Sequence, residues 1–128
     1  MEQVAVHTTE APAAVGPYSQ AQRFGDLLFL SGQIPLHPDT GQIVGATAAE
    51  QTVQIMKNLE AVLLAGGSRL DLLLKTTIFL TDMAAFAEVN AAYAEALGDH
   101  RPARATVQVA ALPKGALVEI EGVAAAAG

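Results

Sequence analysis

Two segments near the end of the chain carry polar side chains at every second position, on a sequence that is otherwise apolar. Arg104, Thr106 and Gln108 form one set, and Glu119 and Glu121 form the other. A period of two places each set on one face of a β-strand. If the two strands form an antiparallel hairpin, the faces coincide in a patch of cationic and acidic groups, a candidate functional site. The alternative is a strand face that is polar only for solubility.

A third candidate lies on a predicted helix. Phe86, Asn90, Tyr93 and Leu97 have the spacing of one helical stripe, so Asn90 interrupts an apolar face. A buried amide must find a hydrogen-bond partner. Asn90 therefore either ties down a loop or points at a ligand, and the sequence leaves both interpretations open.

Several familiar chemistries are excluded by residues that are missing or isolated. The chain has no cysteine, which excludes disulfides, thiolate metal sites and a cysteine nucleophile. His7, His37 and His100 have no partner at metal-ligand spacing, so no metal is expected. Ser31 is not flanked by the glycines of a Gly-x-Ser-x-Gly nucleophile elbow, so it is not expected to be the nucleophile of a catalytic triad. Residues 66–68, Gly-Gly-Ser, follow the end of a helix, whereas glycine-rich phosphate-binding loops precede a helix N-terminus. No nucleotide cofactor is therefore expected.

The composition describes a small acidic protein that is short of surface charge. Of 128 residues, 52% are hydrophobic and 16% charged, and the formal net charge is −6. We expect a single domain over residues 1–128, with part of the apolar surface buried between copies in a homo-oligomer. The acidic balance argues against a nucleic-acid partner. Residues 1–9 do not resemble a signal peptide and no apolar run could span a membrane, so we expect a cytoplasmic location.

The chain pattern predicts a β-β-β-α-β-α-β-β order. The first helix begins at Thr47 in a capping box with Glu50 and ends at Gly66-Gly67. Asp82 is predicted to cap a second helix that ends near Leu97. The predicted strands are residues 3–7, 21–24, 27–31, 72–80, 104–110 and 117–123, with a loop at 33–45, a turn at 112–115 and a fraying tail at 124–127.

This order gives an α+β sheet in which two crossover connections share the central strand. Right-handed crossovers place both helices on the same face. The other face is left without a cover from the chain itself, and neighbouring subunits are the expected cover.

Seven segments of the chain strongly resemble the RidA/YjgF/UK114 family. They are GPYSQA at 16–21, SGQIP at 31–35, KTTIFL at 75–80, FAEVN at 86–90, PAR at 102–104, LPK at 112–114 and VEIE at 118–121. The similarity runs from about residue 9 to residue 123 in matching order. The order and spacing of all segments together make the resemblance specific.

The resemblance implies a chorismate-mutase-like domain that assembles as a barrel-like homotrimer, with active sites between subunits. It implies a cofactor-free enzyme that hydrolyses reactive 2-enamine and 2-imino acids, such as 2-aminoacrylate and 2-iminopropanoate, to 2-oxo acids and ammonia. Members of this branch thereby protect pyridoxal-phosphate enzymes, which release these intermediates.

The resemblance also assigns roles to residues. The family's substrate-binding arginine falls on Arg104, and a guanidinium suits a carboxylate because it donates two parallel hydrogen bonds. The family's water-positioning glutamate falls on Glu119, which would act as general base. The remaining pocket positions fall on Tyr18, Ser31, Gly32, Asn90 and Thr106, with Tyr18 expected to come from the neighbouring subunit.

One position departs from the family. Many members carry a cysteine where this chain has Thr106. The proposed hydrolysis needs no thiol, and the backbone N–H of Thr106 can still meet a carboxylate, so we expect deaminase activity to persist. Two alternatives stay open. One is a non-catalytic module of the same fold that binds 2-oxo acids or regulates a partner enzyme, and the other is the ribonuclease or translation-inhibitor activity attributed to the family.

Overall fold

A computed structural model describes residues 1–127 and contains one six-stranded sheet with both helices on one face. In space the strand order is β1-β2-β3-β6-β4-β5, with β4 and β5 parallel and all other neighbours antiparallel. The elements are β1 Gln3–Val6, β2 Ala21–Phe24, β3 Leu27–Gln33, α1 Ala48–Ala65, β4 Leu73–Leu80, α2 Phe86–Leu97, β5 Ala103–Gln108 and β6 Val118–Ala125. The predicted α+β class and element order are confirmed.

The first helix begins and ends where the sequence predicts. The Glu50 N–H donates to Thr47 Oγ1 at 3.1 Å, and the Thr47 N–H donates to Glu50 Oε1 at 3.1 Å. These reciprocal bonds satisfy two backbone donors that the first turn leaves free. At the other end, the Gly66 N–H donates to the Val62 carbonyl, and Gly67 takes a φ of +80°.

The core lies between the helices and the sheet face that they cover. Ile55, Leu59 and Leu63 of α1 are fully buried, and Leu28 and Ile120 of the sheet belong to the same core. Alternate residues of each strand enter this core, so the position of a residue in a strand decides which face its side chain occupies. Hereafter the covered face is called the helix face, and the opposite one the open face.

The second helix has a more complex start than predicted. Asp82 Oδ1 accepts a hydrogen bond from the Ala84 N–H at 2.9 Å, but it caps a short 3₁₀ turn, Met83–Ala85. The α-helix follows at Phe86, without a side-chain cap of its own. The predicted end is confirmed, since α2 stops at Leu97 and Gly98 takes a φ of +64°.

The strands of Arg104 and Glu119 do not form the hairpin that a shared polar patch would require. β4 lies between β5 and β6 and pairs with both. Arg104 pairs with Thr76, which is fully buried on the helix face, whereas Glu119 pairs with Phe79, which points to the open face. The two polar sets therefore occupy opposite faces and do not form one patch within a chain.

The predicted fraying tail is wrong. β6 continues through Ala125, with Ala124 fully buried between β3 and β4. Beyond the strand, the Ala126 N–H donates to the Asp26 carbonyl at 2.8 Å, and the Ala127 N–H to the Gly67 carbonyl at 2.7 Å. Small side chains fit a central strand because helix α1 packs close above it, a constraint that alanine repeats do not reveal in a sequence.

The open face is apolar and uncovered in the single chain. Phe24 and Phe29 are each 46% exposed, and Leu27 and Val107 are also exposed. Apolar surface of this kind is typical of a protein interface. None of the helices described within residues 1–127 is long and apolar enough to cross a lipid bilayer.

Candidate functional site

Arg104 is held in place by three side chains of α2. Its Nη1 donates to Asn90 Oδ1 at 2.6 Å, and its Cζ lies 5.6 Å from the ring centroids of both Phe86 and Tyr93. Phe86, Asn90 and Tyr93 share one helical stripe, so the guanidinium lies over Asn90 with a ring on either side. The polar interruption of this stripe is thus explained by its contact with Arg104.

The tyrosine of this group is anchored beneath the arginine. The Tyr93 and Thr76 hydroxyls share a buried hydrogen bond of 2.6 Å. Burial raises the pKa of the Tyr93 hydroxyl, while the hydrogen bond with Thr76 and the charge of Arg104 act in the opposite direction. Because Tyr93 stays protonated and fixed, Arg104 rests on a rigid support.

Thr106 lies two residues further along β5, on the same face as Arg104. It pairs with Ile78, a fully buried helix-face residue. Its Oγ1 is buried and has no hydrogen-bond partner among residues 1–127. A buried hydroxyl without a hydrogen-bond partner costs free energy. A ligand or a second copy of the chain that supplied a partner for this hydroxyl would remove that cost.

Glu119 occupies the open face of β6, against Gly32 of β3. The pairing of these strands shifts between Leu30 and Gln33, and bulges of this kind often redirect groups beside active sites. A Cβ added at Gly32 would lie 2.5 Å from Glu119 Oε2, so only glycine leaves room for this carboxylate. Partial burial, reinforced by the charge of Glu121, raises the pKa of Glu119.

The carboxylate borders a cavity of about 430 Å³, which is large enough for a small organic acid. Tyr18, Gly32, Lys114 and Glu119 are among the residues that line it. Tyr18 is 53% exposed at the rim. Lys114 takes a φ of +57° and its Nζ donates to the Gly41 carbonyl at 3.1 Å. Non-glycine residues with this backbone conformation are uncommon and are concentrated at functional sites.

Ser31 makes two hydrogen bonds to backbone carbonyls of its own chain. Its Oγ donates to the Ser19 carbonyl at 2.6 Å, and its N–H donates to the Gln20 carbonyl at 3.0 Å. It does not line the cavity beside Glu119 but faces a neighbouring depression that Tyr18 also borders. A role for Ser31 in ligand binding stays a prediction.

The predicted site residues thus form two separate half-sites. Asn90, Arg104 and Thr106 make one on the helix face, here called the arginine half-site. Tyr18, Gly32 and Glu119 make the other, here called the glutamate half-site, with Ser31 nearby. Sequence reasoning missed three contributors, Phe86, Tyr93 and Lys114; the first two stand on the stripe of Asn90, which is the signal that could have identified them.

The histidines take part in local contacts. His100 Nε2 lies 2.7 Å from the Leu73 carbonyl, and His37 Nδ1 accepts from the Asp39 N–H at 3.1 Å. Within residues 1–127, no group of three or more His, Cys, Asp or Glu side chains is arranged to hold a metal ion.

The anchored Arg104 and the half-buried Glu119 thus border two separate concave surfaces of the α+β sheet. A family model described as Endoribonuclease L-PSP matches residues 8–126. The chain belongs to this family, and the resemblance to RidA/YjgF/UK114 proteins is confirmed by its relatives.

Two relatives of this chain carry different protein names. The chain is 52% identical over 118 residues to the RutC family protein y4sK of Sinorhizobium fredii, covering 92% of this chain and 94% of that protein. It is 45% identical over 119 residues to the 2-iminobutanoate/2-iminopropanoate deaminase of Mus musculus, covering 93% and 88% respectively. The coverage on both sides means that the similarity extends over nearly whole chains.

Solved structures share the fold closely. The YjgF gene product of E. coli matches with a TM-score of 0.91 and 41% identity over 95% of this chain and 98% of that one. E. coli TdcF with bound serine matches with a TM-score of 0.92 and 38% identity over 97% and 99%. The α+β fold is therefore that of the YjgF and RidA structures.

Proposed function

We propose that this protein hydrolyses small 2-imino acids, with their 2-enamine tautomers, to 2-oxo acids and ammonia. The observation that carries the proposal is the pair of half-sites: an arginine anchored to receive a carboxylate and a glutamate whose raised pKa suits proton transfer. The deaminase name of the mouse relative and the serine bound to TdcF both support it, since serine also carries a carboxylate beside a nitrogen-bearing carbon.

The proposed mechanism begins with binding of the substrate carboxylate to Arg104, which Asn90 and the two rings keep oriented. Glu119 takes a proton from a water molecule while the water oxygen bonds to C2 of the protonated imine. The glutamic acid then returns this proton to nitrogen. The C–N bond breaks as the hydroxyl proton passes to Glu119, which gives it to the released ammonia, so the products are a 2-oxo acid and ammonium and Glu119 is ionised again. Such acid–base assistance contributes about 10²–10⁴-fold in rate.

We further propose that each complete site is built from two copies of the chain. Arg104 and Glu119 lie on opposite faces of the sheet, so they can serve one substrate only if a neighbour contributes one of them. The exposed apolar residues of the open face supply a surface for that association. A homotrimer of about three times 13.2 kDa is the expected assembly, measurable by sedimentation.

The first experiment measures imine decay. An amino-acid oxidase releases 2-iminobutanoate, and semicarbazide traps what remains after incubation with wild type, Arg104→Ala or Arg69→Ala. Arg69 is a matched control because, among the residues that the structure describes, its exposed side chain pairs only with Asp71. We expect wild type and the control to accelerate decay and Arg104→Ala to lose the effect while keeping its thermal stability. Full activity of Arg104→Ala would contradict the carboxylate role.

A mixing experiment tests the shared site. Inactive Arg104→Ala and Glu119→Gln chains are unfolded together and refolded. If the two residues come from different copies, random mixing restores about a quarter of the sites, because one interface in four then pairs a native arginine with a native glutamate. If they come from the same copy, the mixture stays inactive.

A binding module for 2-oxo acids is the second candidate, because the arginine half-site would serve it equally well. Turnover separates the two: a binding module retains ligand affinity but leaves imine decay at its spontaneous rate. The ribonuclease implied by the family description is disfavoured by the net charge of −6. Salt-dependent RNA cleavage by this protein would argue for that activity.

A further inference from the structure

A second arginine borders the cavity beside Arg104. This cavity has a volume of about 360 Å³, and its lining includes Asn90, Tyr93, Arg101 and Arg104. No aspartate or glutamate of residues 1–127 lines it. Two guanidinium groups without a carboxylate between them form a local positive site on a protein that is acidic as a whole.

The position of Arg101 is fixed at the end of α2. Its Nη1 donates to the Gly98 carbonyl at 2.6 Å and to the His100 carbonyl at 2.9 Å. These bonds satisfy two carbonyls of the segment that follows the helix, but they use only one of the three guanidinium nitrogens. The other two have no protein partner within the described chain, so they are available to a ligand.

The two arginines act on the same small volume. Residues 101 and 104 are three positions apart, so their Cα atoms are separated by at most about 10 Å. Tyr93 lines the cavity with them, and the charges of both Arg104 and Arg101 oppose the rise that burial causes in the pKa of its hydroxyl. A ligand held at Arg104 therefore lies within reach of Arg101.

We infer that Arg101 makes the site selective for 2-imino and 2-oxo acids with a second carboxylate on the side chain. This inference rests on the proposed function, in which Arg104 takes the carboxylate beside the reacting carbon. A dicarboxylate of four or five carbons would place its other carboxylate at Arg101. A monocarboxylate has no second group to pair with Arg101, so Arg101 stays in contact with water and adds no ion pair to its binding.

Lys114 is the other cation that borders a half-site, and it is the competing candidate for the second carboxylate. Its ammonium group is already bonded to the Gly41 carbonyl, and it lines the cavity of Glu119. A carboxylate there would stand beside the negative charge of Glu119. The arginine half-site has no such opposing charge, which favours Arg101.

Calorimetry with the product acids tests the inference without requiring turnover. The wild type is titrated with 2-oxoglutarate and 2-oxobutanoate, beside Arg101→Gln, Arg101→Lys, Lys114→Met and the control Arg69→Gln. We expect wild type to bind 2-oxoglutarate about twofold to fivefold more tightly, a range typical of an exposed charge pair. Arg101→Gln should remove this preference by lowering 2-oxoglutarate affinity more than 2-oxobutanoate affinity. Arg101→Lys should keep part of it, and Arg69→Gln all of it.

The outcomes separate this inference from the proposed function. A loss of 2-oxobutanoate affinity in Arg104→Ala tests only the binding of the first carboxylate by Arg104, here called the carboxylate clamp. The ratio of the affinities for the two acids tests the role of Arg101. A wild type without preference, a preference that survives Arg101→Gln, or one that Lys114→Met abolishes would each overturn the inference and leave the clamp intact. A protein that binds neither acid would refute both.

Discussion

Replacing Gly32 by alanine should disable the glutamate half-site while leaving the fold in place. The new Cβ would lie 2.5 Å from Glu119 Oε2, whereas ordinary contacts begin at 3.4 Å. The carboxylate must therefore move by about 0.9 Å. A displacement of about 1 Å in a reacting group can lower the rate about 10²-fold.

The stability cost of this substitution should be small. The Cβ meets the end of a flexible side chain, and Gly32 is not among the glycines with positive φ. A carboxylate driven from its preferred rotamer costs about 0.5–1.5 kcal/mol of the free energy of unfolding. We expect kcat for 2-iminobutanoate to fall about tenfold to hundredfold, with KM changing less because Arg104 is untouched.

The decisive assay is a double-mutant cycle on kcat/KM, with chemical denaturation as the stability measurement. If Gly32→Ala acts through the carboxylate, it should add almost nothing to the loss already caused by Glu119→Gln. Wild-type kcat in Gly32→Ala would refute the argument. So would losses that add fully in the double variant, since the two changes would then act independently.

The other predictions concern the supports of the two reacting groups. Glu121→Gln should lower the pKa of Glu119, so the acid limb of the pH profile of kcat/KM moves to lower pH, while the exposed Glu95→Gln leaves it in place. Because the pKa of Glu119 is raised in the folded state, its protonation favours folding: stability should increase as pH falls through that pKa, and Glu119→Gln should flatten this dependence in denaturation curves. Asn90→Ala should raise KM about tenfold with a smaller change in kcat, because a charge-assisted hydrogen bond that orients the arginine is lost; an unchanged KM would contradict this role. Tyr93→Phe should cost about 1–3 kcal/mol by leaving a buried threonine hydroxyl without a partner, and adding Thr76→Val should recover most of that loss.

The sequence predicts well those structural features that depend on contacts between residues close together in the chain. The capping box at Thr47, the glycine stop at Gly66 and the end of α2 at Leu97 depend on contacts within a few residues, and all are confirmed. The family resemblance likewise depends on short segments in a fixed order. Such features can be recognised in a single sequence because the physics that produces them is local.

The strand order could not be derived in this way. Residues 118–125 pair with strands that begin far earlier in the chain, and no local pattern announces those partners. Placing β6 beside β5 put Arg104 and Glu119 on the same face, and inserting β4 between them separates the two. Period-two alternation identifies which residues share a face of one strand, but it does not relate the faces of different strands.

The central place of β6 has a consequence for how the protein is made. Strands β1 to β3 and strands β4 and β5 form two smaller sheets that have no direct pairing with each other, and β6 is what joins them. During synthesis these two parts emerge before residues 118–125, each with an unpaired edge. Unpaired edges favour aggregation. The interval before β6 inserts is therefore the stage at which this chain is most exposed to edge-to-edge aggregation.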